Sequence, residues 1–252
     1  MSKNRDSNQY TILFAIGMVI IVGSLLAFTA SSLRPNIAEN ERMEKQQNIL
    51  YAMGVNENGA TDIVFVSTDK VATEFSKYIS KQLIINSDGT AEESAKAFKI
   101  NIKKEQAKAK SGGARVLPLF IGEKEGQSYY IIPIRGKGLW DAIWGYVALD
   151  ENMVVQGAFF DHAAETPGLG ANIKQRYFMD DFIGEKLLSS NGDFKGITVA
   201  KGNNDPKNLI KDDYEVDALA GATITGDGVS AMIKNDLKLY LPYFNNLKNQ
   251  LN

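Results

Sequence analysis

A single uncharged apolar stretch near the N-terminus most constrains how this chain can fold. From Tyr10 to Ala30 the sequence reads YTILFAIGMVIIVGSLLAFTA, without an Asp, Glu, Lys or Arg. An α-helix needs about 20 such residues to cross a bilayer, whereas the core of a signal peptide has only ~7–15. The sequence therefore predicts a transmembrane helix over residues 10–33, after a tail of residues 1–9. Small residues from Ala27 onward keep a cleaved signal peptide as the alternative.

The charges that flank this helix give only a weak prediction of its orientation in the membrane. Lys3 and Arg5 precede it, and Arg34, Arg42 and Lys45 follow it, so the basic residues are nearly balanced. A short tail before a large domain favours a cytoplasmic tail and a periplasmic domain at a bacterial inner membrane. The apolar stretch contains no charged side chain and offers no ion path, so we interpret it as an anchor.

Composition restricts the chemistry to an organic cofactor. The 252 residues include no cysteine and one histidine, which argues against iron–sulfur clusters, zinc sites and bis-His haem. A net charge of −2 argues against a nucleic-acid partner. We therefore expect no metal site, and any redox chemistry must come from an organic group.

Beyond the anchor, the hydrophobic pattern predicts an α+β domain. Residues 34–128 are expected to be its helix-rich N-terminal part, with helices over 36–53 and 71–83 and a short strand at 62–66. Residues 129–252 are expected to form the cofactor-binding domain, which ends in an amphipathic helix. Its other predicted elements are strands at 129–134, 143–149, 153–160 and 196–200 and a helix at 178–188. Pro133 predicts an edge strand or an interruption.

A run of small residues ends in two threonines directly before the last predicted helix. It reads Asp217-Ala-Leu-Ala-Gly-Ala-Thr-Ile-Thr225. Small side chains at residues 220–222 let another molecule approach the backbone closely. Thr225 falls where a helix should begin, and the free N–H groups there suit a phosphate. The alternative is structural: Thr225 or Asp227 caps the helix, and the small residues form a tight turn.

Two further segments contain features that suit a flat cofactor. The sequence HAAETPGLG, from His162 to Gly170, predicts a loop whose backbone donors suit the carbonyls of an isoalloxazine ring. The sequence GKGLWDAIWGY, from Gly136 to Tyr146, holds both tryptophans of the chain, which could cover the face of such a ring. Each segment also has a structural interpretation. The first could be an ordinary loop with a solvated histidine, and the second could hold core aromatic residues that flank a hairpin.

In this order, the segments resemble the FMN-binding domain family, and within it the C subunits of bacterial Na⁺-translocating NADH:quinone reductases. The resemblance rests on the anchor, GKGLWDAIWGY, ETPGLG and DALAGATIT, and it covers nearly the whole chain. In that family a flavin transferase recognises an Asp followed by Ser/Thr-Gly-Ala-Thr-x-Thr, and it esterifies the last Thr with FMN. This chain departs from the pattern at Ala220, where the family has Ser or Thr.

The resemblance implies a covalent FMN on Thr225, with Asp217 in the transferase recognition sequence. It implies a relay from flavin and iron–sulfur partners to another FMN in a membrane subunit, and no turnover by the isolated chain. The implied partners are the other subunits of the complex, the transferase and membrane lipid. The other residues expected to contact FMN are Trp140, Glu165, Thr166, Gly168, Leu169, Gly221, Ala222 and Thr223.

Three alternatives stay open on the sequence alone. The G subunit of the related ferredoxin:NAD oxidoreductase shares the anchor, ETPGLG and the terminal pattern, but it tends to have a Gly-Tyr-Gly-Gly-Pro-type turn in place of Lys-Gly-Leu-Trp. A free-standing flavin reductase would need a proton-transfer group, for which His162 and Glu165 are the evident candidates. A structural or solute-binding module would hold no cofactor.

Overall fold

The computed structural model describes residues 7–59, 62–203 and 205–251. The chain divides after Lys45 into two compact units. Residues 1–6, which belong to the predicted cytoplasmic tail, lie outside the described part of the chain. The fold class agrees with the sequence-based prediction of one long apolar helix and an α+β domain.

The first unit is the greater part of helix α1, Asn8–Ala52, which continues into the second unit. Among the described residues, α1 is the one helix long and apolar enough to cross a membrane. In its N-terminal part the large apolar side chains, including Leu13, Val19 and Phe28, are exposed, whereas Ile49 and Leu50 near its end are buried. A stretch of helix whose apolar side chains are exposed on every face suits a hydrocarbon environment. Pro35 lies inside α1 and does not end it.

The second unit is built on a six-stranded antiparallel sheet with the strand order β2-β1-β3-β4-β5-β6. Most neighbours in the sheet are also neighbours in sequence, as in a meander. The strands are β1 Ile79–Ile85, β2 Ala91–Glu93, β3 Leu117–Lys124, β4 Gln127–Lys137, β5 Ala142–Leu149 and β6 Val155–His162. The predicted strands at 129–134, 143–149 and 153–160 are confirmed as β4, β5 and β6.

Short helices and a second, two-stranded parallel sheet complete this unit. The helices are α2 Val71–Tyr78, α3 Ile102–Lys110, α4 Arg176–Asp180, α5 Thr223–Leu237 and α6 Leu241–Leu251. The small sheet pairs β7, Thr198–Val199, with β8, Glu215–Val216. Single 3₁₀ turns occupy Ala95–Lys99, Gly170–Lys174 and Lys238–Tyr240.

Both faces of the large sheet are covered, which explains why β5 is buried along most of its length. Gly136 lets Met232 of α5 approach β4, because a Cβ at Gly136 would lie 2.8 Å from the Cβ of Met232. Gly157 does the same for the end of α1, because its Cβ would lie 2.3 Å from the carbonyl oxygen of Ala52. In the sheet, Gly136 lies opposite Ile143 of β5, and Gly157 lies opposite Ala148 of β5. Residues directly opposite each other point to the same face, and Ile143 and Ala148 are an odd number of residues apart, so they point to different faces. Helix α5 and the end of α1 therefore cover opposite faces.

Residues 34–128 contain the end of α1, α2 and α3, and they also supply β1, β2 and β3. Three local expectations differ from the structure. The predicted helix at 71–83 ends at Tyr78, because β1 begins at Ile79. Ile79 and Leu83 continue the helical spacing of apolar residues in α2, although both lie on the strand. Residues 62–66 form no strand and run as irregular backbone. The predicted helix at 178–188 is only α4, and a left-handed Gly184 (φ 87°) follows it.

Of the two expectations for Pro133, an edge strand or an interruption, the second is confirmed: β4 lies inside the sheet, but its pairing with β3 stops before Pro133. Pro133 pairs with Tyr146 on β5, and the pairing of β4 with β3 ends at Ile131. Proline has no N–H to donate to a neighbouring strand, so it is tolerated on the side of a strand that has no hydrogen-bonded partner. The predicted strand at 196–200 survives as β7 alone.

Candidate functional site

A small cavity forms where the beginning of α5 meets the loops that follow β4 and β6. It has a volume of about 240 Å³. The three segments singled out in the sequence all contribute to it. Its lining residues are Leu139, Glu165, Thr166, Leu169, Gly170, Gly221, Ala222, Thr223, Ile224 and Thr225.

The first turn of α5 leaves its backbone N–H groups facing this cavity without a capping side chain. Ala222 occupies the N-cap position and makes no side-chain cap hydrogen bond. Gly221 before it has φ 67°, a left-handed conformation that favours glycine. In the structural alternative, the cap by Thr225 or Asp227 is therefore wrong, whereas the tight turn is confirmed, since Ala222 N–H donates to the carbonyl oxygen of Leu219. The first N–H groups of a helix have no intrahelical acceptor, so this turn suits an anion.

The hydroxyl of Thr225 is held by a buried carboxylate. Thr225 is 1% exposed, and its Oγ1 donates a hydrogen bond of 2.6 Å to Glu165 Oε2. Glu165 belongs to the ETPGLG segment, and it is itself 4% exposed. The backbone N–H of Trp140, in the segment after β4, donates to Glu165 Oε1 over 2.9 Å. Glu165 thus joins all three segments.

Glu165 carries its negative charge in spite of burial. Removal from water raises the pKa of this carboxyl group, but hydrogen bonds oppose that effect. They come from the Thr225 hydroxyl and from the backbone N–H groups of Trp140, Asp141 and Leu139. Together these bonds leave the pKa of Glu165 below its ordinary value. An ionised carboxylate therefore faces the Thr225 hydroxyl at neutral pH.

Two glycines make this contact possible. A Cβ at Gly170 would lie 2.4 Å from Glu165 Oε2 and 2.6 Å from Thr225 Oγ1. A Cβ at Gly138 would lie 2.6 Å from Glu165 Oε1. Real Cβ atoms do not approach other atoms so closely, so any other residue at Gly170 or Gly138 would push the carboxylate away from the hydroxyl.

Exposed apolar side chains surround the mouth of the cavity. Trp140 is 65% exposed, and its indole Nε1 donates to Thr166 Oγ1 over 3.2 Å. Leu139, Leu169 and Ile224 are 46%, 42% and 57% exposed. Three of the lining residues, Leu139, Gly170 and Ile224, were not among the predicted site residues. Each lies directly beside a predicted one in sequence, which was the available signal.

Three of the predicted residues are not among those that line the cavity: Trp140, which lies at its mouth, Gly168 and Asp217. Gly168 has φ 77° and shapes the ETPGLG turn from outside. Asp217 lies at a separate small cavity of about 30 Å³, with Asp205 and Asp213 among its lining residues. Burial, together with the charges of Asp181 and Asp205, raises the pKa of Asp217. The position of Asp217 leaves its predicted role as a recognition residue open, since that role needs no contact with the cavity.

His162 is positioned as a support for the loop. Its Nδ1 accepts a hydrogen bond of 3.2 Å from the backbone N–H of Glu165. The contact orients the loop that presents the Glu165 carboxylate.

Comparison with known proteins gives a consistent match. The model of the FMN-binding domain family matches residues 138–238, which include every residue that lines the cavity. The C subunit of the Na⁺-translocating NADH-quinone reductase of Pseudomonas aeruginosa is 30% identical, over 91% of this chain and 91% of that protein. Its counterpart from Vibrio anguillarum is 30% identical, over 91% of this chain and 90% of that protein.

Solved structures extend this match to the fold. The C subunit of the Na⁺-translocating NADH-quinone reductase from Parabacteroides distasonis has a TM-score of 0.71 and 32% identity, over 84% of this chain and 96% of that one. NqrC from Shewanella oneidensis has a TM-score of 0.66 and 26% identity, over 83% of this chain and 99% of that one.

Proposed function

Because this chain belongs to the family of C subunits of Na⁺-translocating NADH-quinone reductases, we propose that it relays electrons through an FMN esterified to Thr225. The family makes it an electron-transfer subunit of an oxidoreductase complex, with an FMN-binding domain and other subunits as partners. The covalent bond, the residues that hold the cofactor and the side of the membrane are our proposals.

The observation that carries the proposal is the position of the Thr225 hydroxyl. It lies in the cavity wall, in the first turn of α5, beside N–H groups that no side chain caps. A phosphate esterified to Thr225 would be bonded to this helix and could accept hydrogen bonds from Thr223 and Ile224 N–H. Helix N-termini bind phosphates in this manner because unpaired donors and the helix dipole act together.

The shape of the site fits one end of FMN. The cavity of about 240 Å³ is smaller than the ~300–1,000 Å³ of pockets that enclose a whole drug-sized ligand. It has room for the phosphate and part of the ribityl chain. The exposed surfaces of Leu139, Trp140, Leu169 and Ile224 remain for the flat ring. FMN held there would supply the redox chemistry at a surface that other subunits can reach.

The charge of Glu165 is compatible with an adjacent phosphate. Its carboxylate is compensated by the backbone N–H groups of Trp140, Asp141 and Leu139. The phosphate would have its own donors at α5. Without FMN, Glu165 orients the hydroxyl and accepts its proton in a hydrogen bond, which makes the oxygen a better nucleophile for the transferase reaction.

A denaturing gel under ultraviolet light tests the covalent bond. The full chain is expressed with a flavin transferase, and a covalent flavin fluoresces in the protein band after denaturation. We expect Thr225→Ala to lose the fluorescence and Thr225→Ser to retain part of it, because a primary hydroxyl can still be esterified. Thr73→Ala is the matched control and should fluoresce, because Thr73 is exposed and lies outside the recognition sequence and the cavity. A fluorescent Thr225→Ala with a dark Thr223→Ala would place the ester on Thr223.

For the membrane, we propose that α1 anchors the chain with its C-terminal domain in the periplasm. The long uncharged stretch supports the anchor, and the short N-terminal tail favours this orientation. A reporter that is active only in the cytoplasm, fused after residue 252, should be silent. An active reporter would reverse the orientation, and a mature chain that begins near Ser31 would identify a cleaved leader.

A further inference from the structure

The one histidine of the chain lies three residues before Glu165, but it is not part of the cavity wall. His162 is the last residue of β6, where it pairs with Ile143 of β5, and its side chain is half-buried. A side chain that does not line the cavity can act on the chemistry there only through a residue that it holds in place.

The His162 ring holds the backbone of Glu165. Its Nδ1 accepts a hydrogen bond of 3.2 Å from the Glu165 N–H. A ring nitrogen that accepts a hydrogen bond carries no proton, so the proton of the neutral imidazole lies on Nε2. Because His162 belongs to a strand of the large sheet, this hydrogen bond fastens the buried Glu165 to a rigid element.

The Glu165 carboxylate has little freedom to adapt if its own backbone shifts. Its Oε1 accepts from the Trp140 N–H over 2.9 Å, and its Oε2 accepts from the Thr225 hydroxyl over 2.6 Å. Gly138 and Gly170 lie so close to the carboxylate that neither has room for a Cβ. Hydrogen bonds weaken steeply as their distance and angle change, so both contacts depend on where the backbone of Glu165 lies.

We propose that His162 is a positioning residue for the attachment of flavin, whose Nδ1 fixes the Glu165 backbone so that the carboxylate meets the Thr225 hydroxyl. This inference rests on the proposed ester at Thr225 and adds the residue that aligns its proton acceptor. When a transferase supplies an activated flavin phosphate, Thr225 Oγ1 forms the bond to phosphorus and the hydroxyl proton moves to Glu165. The bond from phosphorus to the leaving group breaks, and the leaving group departs with that electron pair. His162 takes no part in these bond changes and supplies only a fixed hydrogen-bond acceptor.

The initial rate of flavin incorporation by purified transferase, measured on the full chain in detergent, tests this role with three variants. His162→Ala removes the acceptor and should slow incorporation at least about tenfold, because a misplaced reacting group loses rate steeply. His162→Asn should restore most of the rate, since its amide oxygen takes the position of Nδ1 and has no proton to exchange with the site. His162→Gln should not restore it, because its amide lies one bond further from the backbone.

Hydrogen exchange at the Glu165 amide, measured before flavin is added, gives a second measurement that does not depend on the transferase. This exchange should be slow in the natural chain and in His162→Asn, and faster in His162→Ala. Gln175→Ala is the matched control for both measurements, since Gln175 is exposed and does not line the cavity.

The outcomes separate this inference from the proposed function. Incorporation into His162→Ala at the natural rate would overturn the positioning role and leave the ester at Thr225 in place. An equal loss in His162→Asn and His162→Ala would also overturn it, because the imidazole itself would then be required. A natural chain that takes up no flavin at Thr225 would overturn the proposed function, and this inference with it.

Discussion

The Thr225 hydroxyl donates to the Glu165 carboxylate over 2.6 Å, which joins residues that lie 60 positions apart in the chain. Both side chains are buried, and the pKa of Glu165 lies below its ordinary value. A threonine hydroxyl that faces an ionised carboxylate is prepared to lose its proton when its oxygen is esterified. This pair links the fold to the proposed attachment of FMN.

Glu165→Gln should slow the attachment of flavin. The amide can accept from Trp140 N–H with its oxygen, but its NH₂ group then faces Thr225 and donates to the hydroxyl oxygen. The hydroxyl would lose its proton acceptor, and a lone pair of its oxygen would be engaged. We expect the initial rate of flavin incorporation by purified transferase to fall at least about tenfold. The exposed Glu123→Gln is the control. An unchanged rate for Glu165→Gln would remove Glu165 from this role.

Gly170→Ala should disturb the same contact by bulk alone. The added methyl would lie 2.4 Å from Glu165 Oε2 and 2.6 Å from Thr225 Oγ1, so the carboxylate and hydroxyl must separate. We expect lower flavin fluorescence per protein band and a lower melting temperature. Gly59→Ala is the matched control, because nothing lies within 4 Å of a Cβ built there. Full fluorescence in Gly170→Ala would show that the contact is dispensable.

The buried Glu185 should make stability fall as the pH rises. It is 0% exposed, and burial raises its pKa from 4.5 to about 7, although Lys211 Nζ lies 3.6 Å away. Between these two values the unfolded chain releases the proton and the folded chain keeps it, so unfolding becomes easier as the pH rises. Glu185→Gln has no such proton. Its free energy of unfolding relative to the natural chain should increase by up to about 3 kcal/mol from pH 4.5 to pH 8.

Denaturant unfolding of the two chains at several pH values measures this difference. The exposed Glu123→Gln should show no comparable trend. A Glu185→Gln chain whose advantage is the same at both ends of this range would contradict the raised pKa.

The flavinylated chain should accept electrons from a small reductant but not directly from NADH. Its sequence has no G-x-G-x-x-G after a strand to hold a dinucleotide. A flavin over exposed side chains such as Trp140 suits exchange with neighbouring proteins. We expect dithionite to bleach the yellow absorbance of the isolated chain rapidly and NADH to bleach it negligibly. Stoichiometric bleaching by NADH alone would favour the free-standing flavin reductase.

Much of the candidate site could be predicted from the sequence because its residues lie in short segments. Small residues before Thr225 predicted a close backbone approach, and the structure brings this run to the ETPGLG loop through Glu165. The role of Gly170 could not be read in the same way. Its role depends on the Glu165 carboxylate and the Thr225 hydroxyl, which meet beside the Cα of Gly170. Thr225 comes from a distant segment, so no local sequence pattern predicts this contact.

The extent of the sheet was harder to predict than its centre. The apolar strands β4, β5 and β6 have clear β-branched and aromatic patterns, whereas β1 follows α2 without a break and continues its spacing. Pro133 indicated an edge strand or an interruption, and the structure shows the interruption: β4 lies inside the sheet, but beyond Ile131 it is paired with β5 alone.

Mass spectrometry of one tryptic peptide tests the central claim most directly. Cleavage after Lys211 and Lys234 releases residues 212–234, which contain both Thr223 and Thr225. In the chain matured by a flavin transferase, we expect this peptide to carry the mass of FMN less one water. Fragmentation should place that mass on Thr225. An unmodified peptide from a protein that is yellow only before denaturation, or fragments that place the mass on Thr223, would contradict the claim.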